Sequence, residues 1–283
     1  MSVIEITRVN VGRYSHYIGD DMAEKIRHEF VMGILSLDEK ESPNGGMLWE
    51  VRKDDGKKKA EFFIKWFFAE NSVVSKEVFD TYEDLVEKYN VHKSSFVIPA
   101  DKSGIAKKLL KNLGFTVSLA EGDDVVVTLE KLLDMSFLGV TEPPKNVLPI
   151  RGMTIRSFHD TIKRSVSIGK RGALQNIEYL PMAYFDVDVS CYIKKDDEIS
   201  GIMLFHVRPS GIISVELLAA FTQDAAKDIP RMMRFFVAGC RQKFPSDTKI
   251  IFNRRNQSTF LLSEKLFPLG IGIPVYVGER MEL

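Results

Sequence analysis

The sequence predicts an α/β (α+β) fold built from two copies of one unit. Three observations carry this. Short apolar runs with strand character alternate with amphipathic helical stretches. Turn signals between neighbouring runs add hairpins to the strand–helix–strand crossovers. Corresponding elements recur at a nearly constant offset: Ala60 to Ile212 is 152 positions, Ser94 to Thr248 is 154, and Phe115 to Phe267 is 152.

In the first copy, Met32–Leu37 and Met47–Arg52 flank SPNGG, which reads as a hairpin turn. Ala60–Ala69 is a longer, nearly all-apolar strand of the kind buried on both faces. Ser75 offers an N-cap for a helix carrying Val78, Tyr82, Leu85, Val86 and Tyr89 at spacings of three and four. Ser94–Ile98 is a strand. Ser103 caps a second helix that ends at Gly114, and Val125–Leu129 closes the copy. The second copy repeats the order. Val189–Ile193 and Ile199–Val207 flank KKDDE, and Ile212–Phe221 is the long apolar strand. Asp228 and Pro230 open a helix, Thr248–Phe252 is a strand, Asn256 caps a helix, and Pro274–Val277 closes the chain. Strand–helix–strand connections imply parallel pairing and hairpins imply antiparallel pairing, so each copy is expected to be a mixed sheet with helices on its faces.

Asp134–Gly152 contains Pro143, Pro144 and Pro149. Consecutive prolines stop helices and leave sheets, which makes residues 135–152 a Pro-rich linker between copies at 1–134 and 153–283. The 283 residues are 45% hydrophobic, enough for cores, and 39 Lys and Arg balance 39 Asp and Glu. Zero net charge argues against a dedicated nucleic-acid partner. No apolar run approaches the roughly 18 residues of a membrane span. MSVIEITRVN lacks the basic and apolar regions of a signal peptide, so the expected location is the cytoplasm. The charge is uneven: residues 1–150 hold 20 Lys and Arg against 25 Asp and Glu, and residues 151–283 hold 19 against 14. The second half holds 11 of the 15 arginines, read either as solvated surface and ion pairs or as an anion site.

The element order, and the run LLKNLGF (Leu109–Phe115) after a strand and a capped helix start, resemble the GNAT superfamily of N-acyltransferases. LLSEKLFP (Leu261–Pro268) resembles the same element in the second copy. IKWFFAEN and VELLAAFT then stand as the fourth strands. The resemblance covers the chain except the linker and roughly residues 155–186. It implies two tandem GNAT-like domains, each a mixed, mainly antiparallel sheet flanked by helices. It also implies acyl transfer from acetyl-coenzyme A to a small-molecule or peptide amine. The alternative is a catalytically silent pair kept as a binding or assembly module, with a homodimer among its forms.

In that family, backbone N–H groups at the helix following the fourth strand hold the coenzyme pyrophosphate. The usual pattern is Gln or Arg, two residues, Gly, one residue, then Gly or Ala. The first copy reads AENSVVSKEVF, with Ser75 and Glu77 near the glycine positions and Lys76 as the nearby cation. The second reads AAFTQDAAKDIP, where Gln223 and Ala226 echo the pattern and Asp224 and Asp228 oppose an anion. The resemblance assigns coenzyme contacts to Phe68, Ala69, Ser75, Lys76 and Asn256. At the family's tyrosine position stand Leu110 and Ser263, neither of them a useful acid.

Glu216 is the candidate catalytic residue. It lies within the apolar run Val215–Phe221, where a carboxylate is unusual, and it matches the family's general-base position; Glu61 does so less well, with Lys65 further along that strand. The competing reading is a salt bridge from Glu216 to an arginine on a neighbouring element. The five histidines lack metal-ligand spacing, and His206, on a strand of the second copy, is the one nearest the candidate site in sequence. Gly169-Lys170 lacks the remainder of a phosphate loop. Cys191 and Cys240, on a strand and an apolar helix face, read as inert core thiols. Residues 155–186 read as a basic amphipathic helix followed by a loop.

Overall fold

The computed structural model describes residues 2–53, 60–100, 110–138, 142–170, 172–174, 176–222, 225–254, 257–267 and 272–282. The fold is mixed α/β and divides into two compact units, residues 1–122 with 273–283, and residues 123–272.

The first unit orders its strands β1 (Ser2–Ile6), β2 (Met32–Leu37), β3 (Pro43–Lys53), β4 (Ala60–Ala69), β5 (Val91–Pro99) and, from the far end of the chain, β12 (Gly272–Met281). Pairing is antiparallel except between β4 and β5. Helices α1 (Ser15–Ile18) and α2 (Asp20–Arg27) cover one face, where Tyr14, Ile18 and Ile26 meet Leu35, Leu37 and Leu48. Helix α3 (Ser72–Lys88) covers the other with Val74, Val78, Phe79 and Tyr82 against Trp49, Phe62 and Ile64.

The structure departs from the sequence expectation at two places in this unit. The β2–β3 turn is not SPNGG, because Pro43–Gly46 already lie in β3. Asp38 makes the turn: its Oδ1 accepts from the N–H groups of Lys40 and Ser42, both at 2.8 Å. The glycines serve close packing instead. A Cβ on Gly45 would lie 2.3 Å from Val74 Cγ1, and one on Gly46 would lie 2.6 Å from Ile34 O. The cap of α3 is Asn71 rather than Ser75, its side chain accepting from Val73 and Val74 N–H at 3.0 Å. Gly114 ends its helix as expected, with Phe115 N–H donating back to Leu110 O at 3.2 Å. Ser103 and Asn256, expected as caps, lie outside the described residues.

Seven residues of β12, Val275–Met281, pair with Pro99–Lys93 of β5. Arg280 anchors the strand: its guanidinium lies 4.6 Å from the Phe79 ring centre and 5.4 Å from that of Phe115, and bonds Glu83 at 3.1 Å and Glu282 at 2.7 Å.

The second unit begins with the later part of β6 (Thr116–Thr128), whose residues Asp124–Thr128 pair with β11 (Lys249–Asn253). Then follow β10 (Ile213–Ala220), β9 (Glu198–Val207), β8 (Cys191–Lys195) and β7 (Val147–Pro149). Only β10–β11 is parallel in this series. The KKDDE turn forms as expected, with Asp196 and Asp197 at positive φ, as a type I′ hairpin requires. Short helix α4 (Leu129–Leu133) leads into the Pro-containing segment, where Leu138, Val147 and Ile150 are buried. Helix α5 (Ile155–Ser167) is the basic amphipathic helix expected there. Helix α6 (Ala225–Lys243) packs Met232, Met233, Phe236 and Val237 on Met203, Phe205 and Val215, and α7 (Gln257–Leu266) adds Leu262 and Leu266.

The sequence copies and the compact units therefore differ at their last strands. The first unit is completed by the strand that ends the second copy, and the second unit by the strand that ends the first.

Candidate active site

The two fourth strands, β4 and β10, share one irregularity. Across β9 and β10, Val215 faces Phe205 and Leu217 faces Leu204, so Glu216 is an extra, bulged residue. Across β3 and β4, Leu48 faces Trp66 and Trp49 faces Ile64, so Lys65 is the bulged residue. The side chains register the slip. Ile213, Val215 and Leu218 belong to the core under α6, and Phe62, Ile64, Phe67 and Ala69 to the core under α3. Each set skips from a spacing of two to three at the bulge, so that Glu216 with Leu217, and Lys65 with Trp66, fall between core positions.

Parallel pairing stops at the same place. β10 pairs with β11 through Val215–Phe252 and no further, and β4 pairs with β5 only as far as Ile64–Phe96. Among the described residues the parallel ladder thus ends at the bulge in both copies, and Glu216 is the first β10 residue past it.

Glu216 is 5% exposed. Ser214, two residues earlier and also buried, donates its hydroxyl to Glu216 Oε1. Among the described residues no cation pairs with this carboxylate, and its side-chain partner there is the Ser214 hydroxyl. Ser214 sits opposite His206 across the strands. The His206 ring stacks on Tyr184 with centres 4.0 Å apart, and its Nδ1 lies 2.8 Å from Tyr184 O. A carbonyl only accepts, so Nδ1 carries the proton.

The segment after α5 docks on this edge. Ala173 N–H donates to Glu216 O at 2.8 Å, and Lys170 Nζ bonds Ala220 O. Gly172 is required by contact: a Cβ there would stand 1.9 Å from Glu216 O. Gly172→Ala is expected to push the segment off β10 and to cost about 1–3 kcal/mol, read as a lowered denaturation midpoint. An unchanged midpoint would show that the segment does not pack as described.

The first copy carries different chemistry at the matching point. Lys65 Nζ lies 3.4 Å from Glu50 Oε1, and Arg52 approaches the same carboxylate at 3.4 Å. Glu61, four residues earlier, accepts from Ser95 Oγ at 2.5 Å. Around the start of α3, Phe68 is half-exposed against Tyr17 and Ala69 is buried. Ser75 is buried with its N–H on Asn71 O at 3.0 Å, and Lys76 is drawn to Asp80 at 2.7 Å. Asn71 thus engages the N–H groups of residues 73, 74 and 75. These four expected coenzyme contacts lie near one helix end but present no shared set of donors, and Asn256 lies outside the described residues.

In the second copy, Asp228 is buried in the first turns of α6, with Ser200 Oγ at 3.5 Å, Thr222 Oγ1 at 3.4 Å and Arg231 at 3.7 Å. Its charge is turned into the protein. Ser263 Oγ accepts from Arg254 Nε at 2.8 Å and donates to Phe260 O at 2.9 Å, which leaves it engaged rather than poised as an acid. Cys191 and Cys240 are buried, and burial pushes both thiols well up, as inert core cysteines require.

The sequence singles out Glu216 but shows neither the bulge nor the Ser214 contact. In runs apolar at nearly every position, alternation leaves no mark.

No protein-family model and no curated protein matches the chain. Solved structures match its fold. A tandem GNAT protein from the clavulanic acid biosynthesis pathway aligns over 99% of this chain and 98% of its own, with TM-score 0.62 and 8% identity. A GCN5-related N-acetyltransferase from Sphaerobacter thermophilus aligns over 99% and 95%, with TM-score 0.56 and 11% identity. A conserved protein of unknown function from Enterococcus faecalis V583, described as a probable N-acyltransferase, aligns over 99% and 72%, with TM-score 0.52 and 8% identity. At these identities the likeness is one of fold. No helix among the described residues is long and apolar enough to cross a membrane.

Proposed function

Since this chain has the fold of the tandem GNAT proteins, we propose that its second copy transfers an acyl group from a coenzyme A thioester to an amine, with acetyl-coenzyme A as donor. The carrying observation is the buried Glu216 at the bulge where β10 and β11 part. Backbone past the end of the β11 pairing, met there by Ala173 and Lys170, suits the extended arm of the coenzyme, and a carboxylate at its start suits proton removal from an acceptor amine. The residues to hold the coenzyme are Leu218–Ala220 along the edge, Lys170 beside Ala220, and the first turn of α6, a helix start that favours anions. Asp228 in that turn is held by Ser200, Thr222 and Arg231, which offsets its charge. The bound coenzyme supplies an activated acyl carbon; Glu216 takes the amine proton as the new amide forms. The acceptor is a small-molecule or peptide amine, and the place of action is the cytoplasm, where two buried free cysteines stay reduced.

A specific observation favours a second role for the first copy. Asn71 closes the amides a pyrophosphate would need, and a lysine stands at the base position. The first copy is therefore the silent one, a scaffold rather than a second catalytic centre. The test is thermal melting with acetyl-coenzyme A. At 100-fold over Kd the ligand stabilises the chain by about 2.7 kcal/mol, a clear rise in Tm. No rise at millimolar ligand would remove the enzyme reading.

A further inference from the structure

A buried base must be satisfied in two protonation states, since it takes a proton in each cycle and gives it up before the next. Unpaired polar groups in a dry site are costly, so both states need partners. Glu216 has no cation beside it among the described residues. Its one side-chain partner there is Ser214, 3% exposed.

Ser214 Oγ has a second acceptor. The backbone oxygen of His206, its cross-strand neighbour, lies 3.4 Å away. A serine hydroxyl carries one proton and two lone pairs, so it can donate to only one of these oxygens at a time while still accepting. We propose that Ser214 is the positioning residue of Glu216 and works as a two-position rotor. With Glu216 ionised, Ser214 donates to Oε1. When Glu216 takes a proton from the acceptor amine, the N–H electron pair stays on nitrogen and the new carboxyl O–H donates to Ser214 Oγ. Ser214 then turns its own proton to His206 O. No covalent bond of serine changes, and each proton has an acceptor in both states. The base step of this cycle rests on the proposed reaction; the rotor itself can be read without turnover.

The experiment is isotope-edited infrared spectroscopy of the full chain during acidification. The Glu216 band is identified by its absence in Glu216→Gln, and near-ultraviolet circular dichroism follows the fold. The expected result is that a hydrogen-bonded carboxyl C=O band from Glu216 appears while the fold persists. In Ser214→Ala that band moves to higher wavenumber, because the acid has lost its partner, and in Ser214→Thr it returns. A band that does not move in Ser214→Ala overturns the proposal. So does unfolding of the unaltered chain before Glu216 takes up its proton, a result that needs no Ser214 variant. Failure to bind acetyl-coenzyme A overturns the proposed reaction instead and leaves the infrared result standing.

Discussion

A chain ending at residue 134 is expected to show no cooperative unfolding transition. It contains all of the first sequence copy but lacks β12, which pairs with β5 over seven residues. Without it, the inner edge of β5 loses its partner, and the Phe79 and Phe115 rings lose the Arg280 guanidinium packed on them. Arg280 also closes the helix end before Gly114, donating to Leu113 O at 3.3 Å. Domains are stable by only about 5–15 kcal/mol, and an exposed unpaired strand edge invites aggregation, so loss of this closing strand exceeds what the unit can absorb. Joining residues 1–122 to 273–283 through a flexible Gly/Ser linker is expected to restore the transition. The measurement is thermal denaturation followed by circular dichroism on both chains. A sharp transition in the chain ending at 134 would refute the exchange of strands.

Glu216→Gln is expected to lower turnover by about 10²–10⁴-fold, the range typical of a lost general base. Glutamine keeps the shape and can still meet the Ser214 hydroxyl, so the fold and the acetyl-coenzyme A melting shift should persist. Steady-state kinetics on an accepted amine gives the fold-change, and the melting shift reports coenzyme binding separately. Loss of folding together with turnover would make Glu216 structural. Retained turnover would place the base elsewhere.

Much of this arrangement was legible in the sequence. Element order, the long strands at Ala60–Ala69 and Ile213–Ala220, the amphipathic faces of α3 and α6, and the Gly114 helix end follow from periodicity and local propensity. The carboxylate at 216 stood out because its neighbours are apolar. These are properties of residues within a few positions of one another, which local stereochemistry and solvation dictate.

Other features belong to the tertiary structure alone. Gly45 and Gly46 read as a turn because glycine suits turns, yet here they make room for Val74 and for the Ile34 backbone, neighbours distant in sequence. The exchange of β6 and β12 has no local signal, because each strand would pair equally well by pattern with its own copy. The bulges are hidden in runs where apolar residues stand on both sides of Lys65 and Glu216, and only the partner strand reveals which residue is extra. The sequence determined which elements form and where a buried acid lies. Long-range packing decided which strand closes which sheet, and which hydroxyl meets that acid, because those choices depend on surfaces that exist only once the chain has folded.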